Sequence, residues 1–405
     1  MNHIRCVLLP AALALELVCC VHGIAGETEE RIWLEATING KSAKLIFDTG
    51  SSHLTLFPKG AARLGISFEK PPRNLYVGQG EIPTGITEEC DLTIGRTRLR
   101  TAFRVPELPA ILPLAADGLV GWEPVRNNIV LIDAVRGVLT CLSNVSVETT
   151  MWTKLKLATN DNVLRLQWAS SGGQTYNIAI DTGDHRGVKL APERWRSWNV
   201  AHANEPKTLA AYYDVYAGLV VAEEAWAREL SFGLFSLSDL PVSEADKTGV
   251  ALGGAGYQAT LGLWALKRVE IIIDGKQGIA YLRPRKTLPP PYEHNRLGAV
   301  FTPADLRGND ELIAHVVLNS PAYEAGIRSG DVRLRIDRLD VTKWRTDPAV
   351  LPLSRFWEQP AGTELLLILK RGGRKMEVKV VLQQILPTGV VGKAQSRGQA
   401  NQPRE

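Results

Sequence analysis

Two short apolar strands in this chain each run straight into Asp-Thr-Gly. The first is Lys44-Leu45-Ile46-Phe47, followed by Asp48-Thr49-Gly50 and Ser51-Ser52; the second is Tyr176-Asn177-Ile178-Ala179-Ile180, followed by Asp181-Thr182-Gly183. A single copy would be ordinary turn chemistry, because Asp bonds nearby amides and Gly accepts positive φ. Both copies, however, follow another strand and a turn signal: Asn39-Gly40 after Ile32 to Ile38, and Ser170-Ser171-Gly172-Gly173 after Val163 to Trp168. The match continues downstream. Leu119-Val120-Gly121 precedes Ile129-Val130-Leu131-Ile132-Asp133 and Gly137, and Leu261-Gly262 precedes Ile271-Ile272-Ile273-Asp274 and Gly278. Twelve residues separate Gly from Asp, and four separate Asp from Gly, in each copy. The chain is an internal duplication with a period far longer than a solenoid's, and it delivers two aspartates from two equivalent hairpins.

These residues resemble the aspartic protease clan, the pepsins and the retroviral-type proteases, from about Glu29 to Arg285. In that family each lobe gives one Asp-Thr-Gly loop, and a later hydrophobic-hydrophobic-Gly segment crosses behind it; Leu119-Val120-Gly121 and Leu261-Gly262 stand where that segment belongs. The resemblance implies a mainly β fold. Two tandem retropepsin-like β-barrel lobes, 29–150 and 151–285, would form a pepsin-like pseudo-dimer. It also implies Asp48 and Asp181 as the catalytic pair, with Thr49 and Thr182 bonding across the lobe interface behind them. Gly50 and Gly183 would let each loop turn tightly, and Ser51 would hydrogen-bond the outer oxygen of Asp48. The second half departs from the pattern at Asp184, where Ser, Thr or Ala is usual. A carboxylate there would raise a pKa or turn one side chain away, with a protonated His185 as the offsetting charge.

Residues Met1 to about Ala25 have the order of a secretory signal peptide: Arg5, an apolar body from Cys6 to Val21, then Gly23 and Ala25 spaced for cleavage. A retained membrane anchor is the alternative. Removal of the signal leaves no other apolar run long enough to span a bilayer, so the expected site of action is periplasmic or secreted, in a bacterial cell. Cys90 and Cys141 then remain; an oxidising compartment allows one disulfide, and two separate core thiols fit the sequence equally. The formal charge of +4 is small for 405 residues, and no basic run is interleaved with aromatics, so nucleic acid is not an expected partner. No His-Glu-x-x-His or paired Cys-x-x-Cys offers a metal site, and Gly254-Ala255-Gly256 lacks the βαβ setting of a nucleotide loop, so no cofactor is expected. His53 and His185 read as surface or supporting residues.

Leu75-Tyr76-Val77-Gly78-Gln79-Gly80 reads as a strand entering a glycine turn, with Glu89 to Ile94 as its return. By the resemblance this hairpin is the flap, with Tyr76, Gly78 and Gly80 as its candidate residues; an ordinary hairpin is the alternative. The equivalent stretch of the second half, around Ala210 to Gly218, has no comparable glycine turn.

Residues 286–294, with Pro289-Pro290-Pro291, read as a stiff linker. A new domain follows over 295–385. Ser320-Pro321-Ala322, Ala325-Gly326-Ile327 and Gly330-Asp331-Val332, with a closing hairpin around Arg371-Gly372-Gly373, resemble a bacterial PDZ domain of α+β type. The resemblance implies a carboxylate-binding loop at Leu297-Gly298-Ala299 and C-terminal peptides as partners, added as a strand beside it. Two positions depart from the family's loop: Arg296 replaces its first glycine, and Ala299 is small. Docking within the molecule is the alternative use. The tail, 386–405, is rich in Gly, Gln, Arg and Lys and reads as disordered.

Two acids held close together share one proton, so one serves as base toward a water while the other donates to the tetrahedral intermediate; aspartic proteases are the standard instance of this splitting. The leading expectation is an exported aspartic endopeptidase acting on peptide or protein substrates through Asp48 and Asp181. The alternatives are a homodimer pairing Asp48 with its own copy, and a non-catalytic peptide-binding protein with a degenerate protease fold.

Overall fold

The computed structural model describes residues 31–69, 74–77, 80–95, 97–107, 115–145, 147–158, 162–214, 218–246, 253–286, 291–304, 310–347 and 350–388. The architecture is mainly β and protease-like. Each half begins with the expected hairpin. Trp33–Ile38 pairs antiparallel with Lys41–Phe47 through Asn39 and Gly40, both at positive φ, the geometry a two-residue hairpin turn needs. Leu34, Ala36, Ile38 and, across the turn, Ala43, Leu45 and Phe47 alternate inward. That period of two fixes the register, because a slip of one residue would expose the whole set. In the second half Arg165–Ala169 pairs with Thr175–Asp181 in the same way.

A crossing strand then completes each half. Gly118–Val120 lies parallel to Lys41–Phe47 and antiparallel to Leu54–Leu56, and Tyr257–Gly262 lies parallel to Thr175–Asp181 and antiparallel to Val188–Leu190. The downstream duplication has an equally direct consequence. Ile129–Asp133 pairs antiparallel with its own repeat, Val269–Asp274, so strands from both halves share one twelve-stranded sheet. The other first-lobe strands form a ten-stranded sheet of their own, so this pairing ties the lobes together by backbone, and one hydrophobic core is continuous through both. Asp133 and Asp274 are explained by the turns that follow them: each accepts two backbone N–H groups, from Val135 and Arg136 and from Lys276 and Gln277.

Several sequence expectations are corrected. Of the two readings open for the cysteines, the structure has the second: Cys90 and Cys141 are buried and not joined in a disulfide, and Cys90 donates to Glu88 O. The strand returning from Asn74–Val77 is Gly80–Thr87, not Glu89 to Ile94; Cys90–Ile94 pairs instead with Trp33–Ile38, where Leu92 and Ile94 reach the core. Gly78 lies outside the described residues, while Tyr76 and Gly80 lie on the two strands of that hairpin. In the second half Lys207–Asp214 and Gly218–Ser231 form a longer hairpin, with Gly218 at positive φ. The presumed linker is partly packed: Tyr292 lies against Trp264 and Trp226, ring centroids 5.1 and 6.2 Å away, and His294 is buried. Leu386, assigned to the tail, is completely buried in the core shared by the two lobes.

Residues 295–385 fold around a sheet of their own, in which Ala299–Pro303 is an edge strand and Glu364–Arg371 and Arg374–Val381 form the closing hairpin. Ser320 caps a short helix, Pro321–Glu324, by accepting from Tyr323 N–H. No helix among the described residues is long and apolar enough to cross a membrane.

Candidate active site

Both Asp-Thr-Gly loops leave the ends of parallel-paired strands and meet at the junction of the lobes. Thr49 and Thr182, each fully buried, lock them together reciprocally. Thr49 Oγ1 donates to Ile180 O (2.7 Å) and accepts from Thr182 N–H (3.1 Å), while Thr182 Oγ1 donates to Phe47 O (2.8 Å) and accepts from Thr49 N–H (3.0 Å). Each hydroxyl thus uses donor and acceptor capacity on the other loop, and a buried hydroxyl so satisfied carries no desolvation debt.

The two glycines have a reason the sequence reading did not give. Neither has positive φ; each is small because the opposite carboxyl lies against it. A Cβ on Gly50 would sit 2.6 Å from Asp181 Oδ1, and one on Gly183 would sit 2.4 Å from the Asp48 carboxyl carbon. Asp48 Oδ1 accepts from Gly50 N–H at 2.9 Å, and Asp181 Oδ1 accepts from Gly183 N–H at 3.0 Å. Each carboxyl thus lies against the opposite loop, close enough that a charge on Asp48 opposes ionisation of Asp181. Burial pushes both up from the ordinary range, and the neighbouring Asp48 charge helps to bring Asp181 to about 8. Asp181 is 8% exposed, whereas Asp48 keeps part of its surface open.

Ser51 reaches Asp48 through its backbone amide rather than through the expected hydroxyl contact. Asp184 does so too in the second loop, its N–H donating to Asp181 Oδ1 at 3.1 Å. The Asp184 side chain turns inward, toward partners other than the expected His185. Arg186 Nε and Nη2 donate to its two oxygens at 3.0 and 3.1 Å, and Lys189 Nζ lies 2.9 Å from Oδ2. All three side chains are buried. Burial pushes Asp184 up, but Arg186 and Lys189 override it and hold the carboxyl well below its ordinary value. The extra carboxylate is therefore neutralised in place.

Sequence reading missed Arg31, Arg186 and Lys189. Arg31 donates to Gly183 O and its charge favours ionised Asp48, which nothing local in the sequence announces. Lys189 did leave a signal: it interrupts Val188-Lys189-Leu190, a strand buried throughout, and a lysine in such a run needs a counter-charge. Of the two histidines, His53 pairs with Glu123 at 3.1 Å and His185 is exposed beside Arg31. Among the described residues no group of His, Cys, Asp and Glu could hold a metal ion.

Comparison with curated proteins gives no match to the chain. The family model described as aspartyl protease matches residues 34–123, which contain Asp48-Thr49-Gly50-Ser51 and the crossing segment Leu119-Val120-Gly121, so this stretch is similar to that family.

Proposed function

We propose that this protein is an aspartic endopeptidase whose single chain supplies both acids, Asp48 and Asp181. The observation that carries the reading is the reciprocal threonine lock, which sets the two loops face to face across a local two-fold axis. At neutral pH the pair holds one proton. Asp48, open to the cleft and beside the positive Arg31, is the base that takes a proton from water; Asp181, whose ionisation is opposed by burial and by Asp48, donates to the oxygen of the tetrahedral intermediate. Water attacks the scissile carbonyl carbon, the C–N bond then breaks, and the leaving amine takes up a proton, so no covalent enzyme intermediate is needed.

The homodimer alternative is disfavoured because the second lobe already fills the position a partner's lobe would take, through the shared sheet and the threonine lock. We also infer export directed by residues 1–25, to a periplasmic or secreted location, and a PDZ-type C-terminal domain over 295–385. The purified chain, given an unfolded protein substrate, is expected to cleave it as a monomer. Asp48→Asn and Asp181→Asn should each abolish cleavage, and full activity in either variant would defeat the proposal.

A further inference from the structure

The second-lobe hairpin, Lys207–Asp214 with Gly218–Ser231, is attached at two places. One is the C-terminal domain. Asn295 Oδ1 accepts from the N–H groups of Leu297 and Gly298 at 2.9 and 3.1 Å, so the amides expected to hold a terminal carboxylate are already occupied. The Asn295 side-chain nitrogen donates to Leu209 O and to Ala299 O, both at 2.9 Å, and the Asn295 main-chain carbonyl accepts from Thr208 Oγ1 at 2.6 Å. Leu209 is buried within the hydrophobic core of the C-terminal domain, with Val221 from the facing strand packed beside it. The loop grips its own chain.

The other attachment lies three residues along the same strand. The guanidinium carbon of Arg186 sits 3.2 Å from the centre of the Tyr212 ring, and the Tyr212 hydroxyl donates to Asp246 at 3.0 Å. Arg186 in turn holds Asp184, whose amide bonds the Asp181 carboxyl. A path thus runs from Asn295 to Leu209, along three residues of one strand to Tyr212, and from there by ring packing and hydrogen bonds to Arg186, Asp184 and Asp181. The links from Tyr212 inward are short and those of Arg186, Asp184 and Asp181 are buried, as a rigid support for one carboxyl requires.

We propose that the C-terminal domain acts in cis on the catalytic pair: its Asn295–Ala299 loop grips the second-lobe hairpin, and Tyr212 and Arg186 are positioning residues for Asp181. The inference rests on the endopeptidase reading above. The ring of Tyr212 fixes the plane of the guanidinium, and the guanidinium fixes Asp184, so releasing the hairpin lets the Asp181 loop shift relative to Asp48. A displacement of about 1 Å at reacting groups costs on the order of a hundredfold in rate.

The test uses the full-length chain and a soluble peptide that it cleaves, with the folded fraction matched by circular dichroism. Tyr212→Leu is expected to lower kcat about tenfold to a hundredfold with KM within about twofold, as loss of positioning predicts. Tyr212→Phe, which keeps the ring over Arg186, should restore most of kcat. Asn295→Ala, which touches neither acid, should lower kcat in the same direction. Should Tyr212→Leu not fold, Asn295→Ala decides alone. Wild-type kcat in folded Asn295→Ala overturns the coupling while leaving the endopeptidase reading intact. A wild-type chain that cleaves no better than Asp48→Asn overturns both.

Discussion

The two lobes use the same backbone to opposite electrostatic ends. After Asp48-Thr49-Gly50 the first lobe places Ser51, and the next strand carries Thr55; after Asp181-Thr182-Gly183 the second lobe places Asp184 and, in the strand position matching Thr55, Lys189. The neutral hydroxyls of one lobe are replaced in the other by a buried ion network that Arg186 completes. The backbone is not disturbed by the change: Gly121 and Gly262 both lie close under their loops, where a Cβ would meet Ser51 O in one case and Asp184 O in the other. What the contrast teaches is that near-symmetrical loops can hold two identical acids in unequal surroundings. Inequality of that kind is how one of two like groups becomes the proton donor.

Breaking the pair should produce the largest effect. Asp48→Asn and Asp181→Asn are each expected to lower kcat/KM by about 10³-fold or more, the scale of a lost acid or base; a much milder loss in one would show that the lobes do not contribute equally. Next comes the position at which they differ. Asp184→Ala leaves Arg186 and Lys189 buried without their counter-charge and should cost about 3–5 kcal/mol in urea unfolding. Ser51→Ala, on the neutral side, should stay within about 1 kcal/mol.

The third test separates Asp181 from Asp184 by the sign of their pH dependence. Asp181 is raised from 3.8 to about 8, so its stabilising contribution is full at low pH and declines as pH rises toward 8. Linkage puts the loss between pH 6 and 8 on the order of 2 kcal/mol, and Asp181→Asn should flatten that limb. Asp184 is lowered, so its contribution is present above 3.8 and fades as pH falls below it. Asp184→Asn should therefore alter the acid limb and leave the alkaline one. Effects smaller than the loss of Asp184 belong to the elements shared by both lobes. Thr49→Val and Thr182→Val each remove one buried hydroxyl with equivalent partners and should cost about 1–2 kcal/mol apiece. Clearly unequal costs would show that the lock is not symmetrical.

The duplication, both hairpins, the crossing segments and the acid-bearing loops were legible because they rest on local chemistry: alternation, Asn-Gly turns and repeated spacing. What escaped depends on which groups the folded strands aim at one another. Arg31 and Gly183 meet across 152 residues of chain, and Asn295 and Leu209 across 86. Asp184 looked like a defect because its neighbour His185 was the nearest cation in sequence, whereas the strand geometry aims Arg186 and Lys189 at it. Residues 286–294 looked like a spacer because Pro-rich composition suggests stiffness but does not reveal that Tyr292 has tryptophans to rest on.

Leu386 lies beyond the last strand of the C-terminal domain, yet it is completely buried in the core the two lobes share, and the amides of Ile385 and Leu386 both donate to His294. The shared core is thus completed by a residue that follows every strand of the lobes and of the C-terminal domain. A nick just upstream of Leu386 would therefore leave a gap in the core that the two lobes share rather than trim an edge.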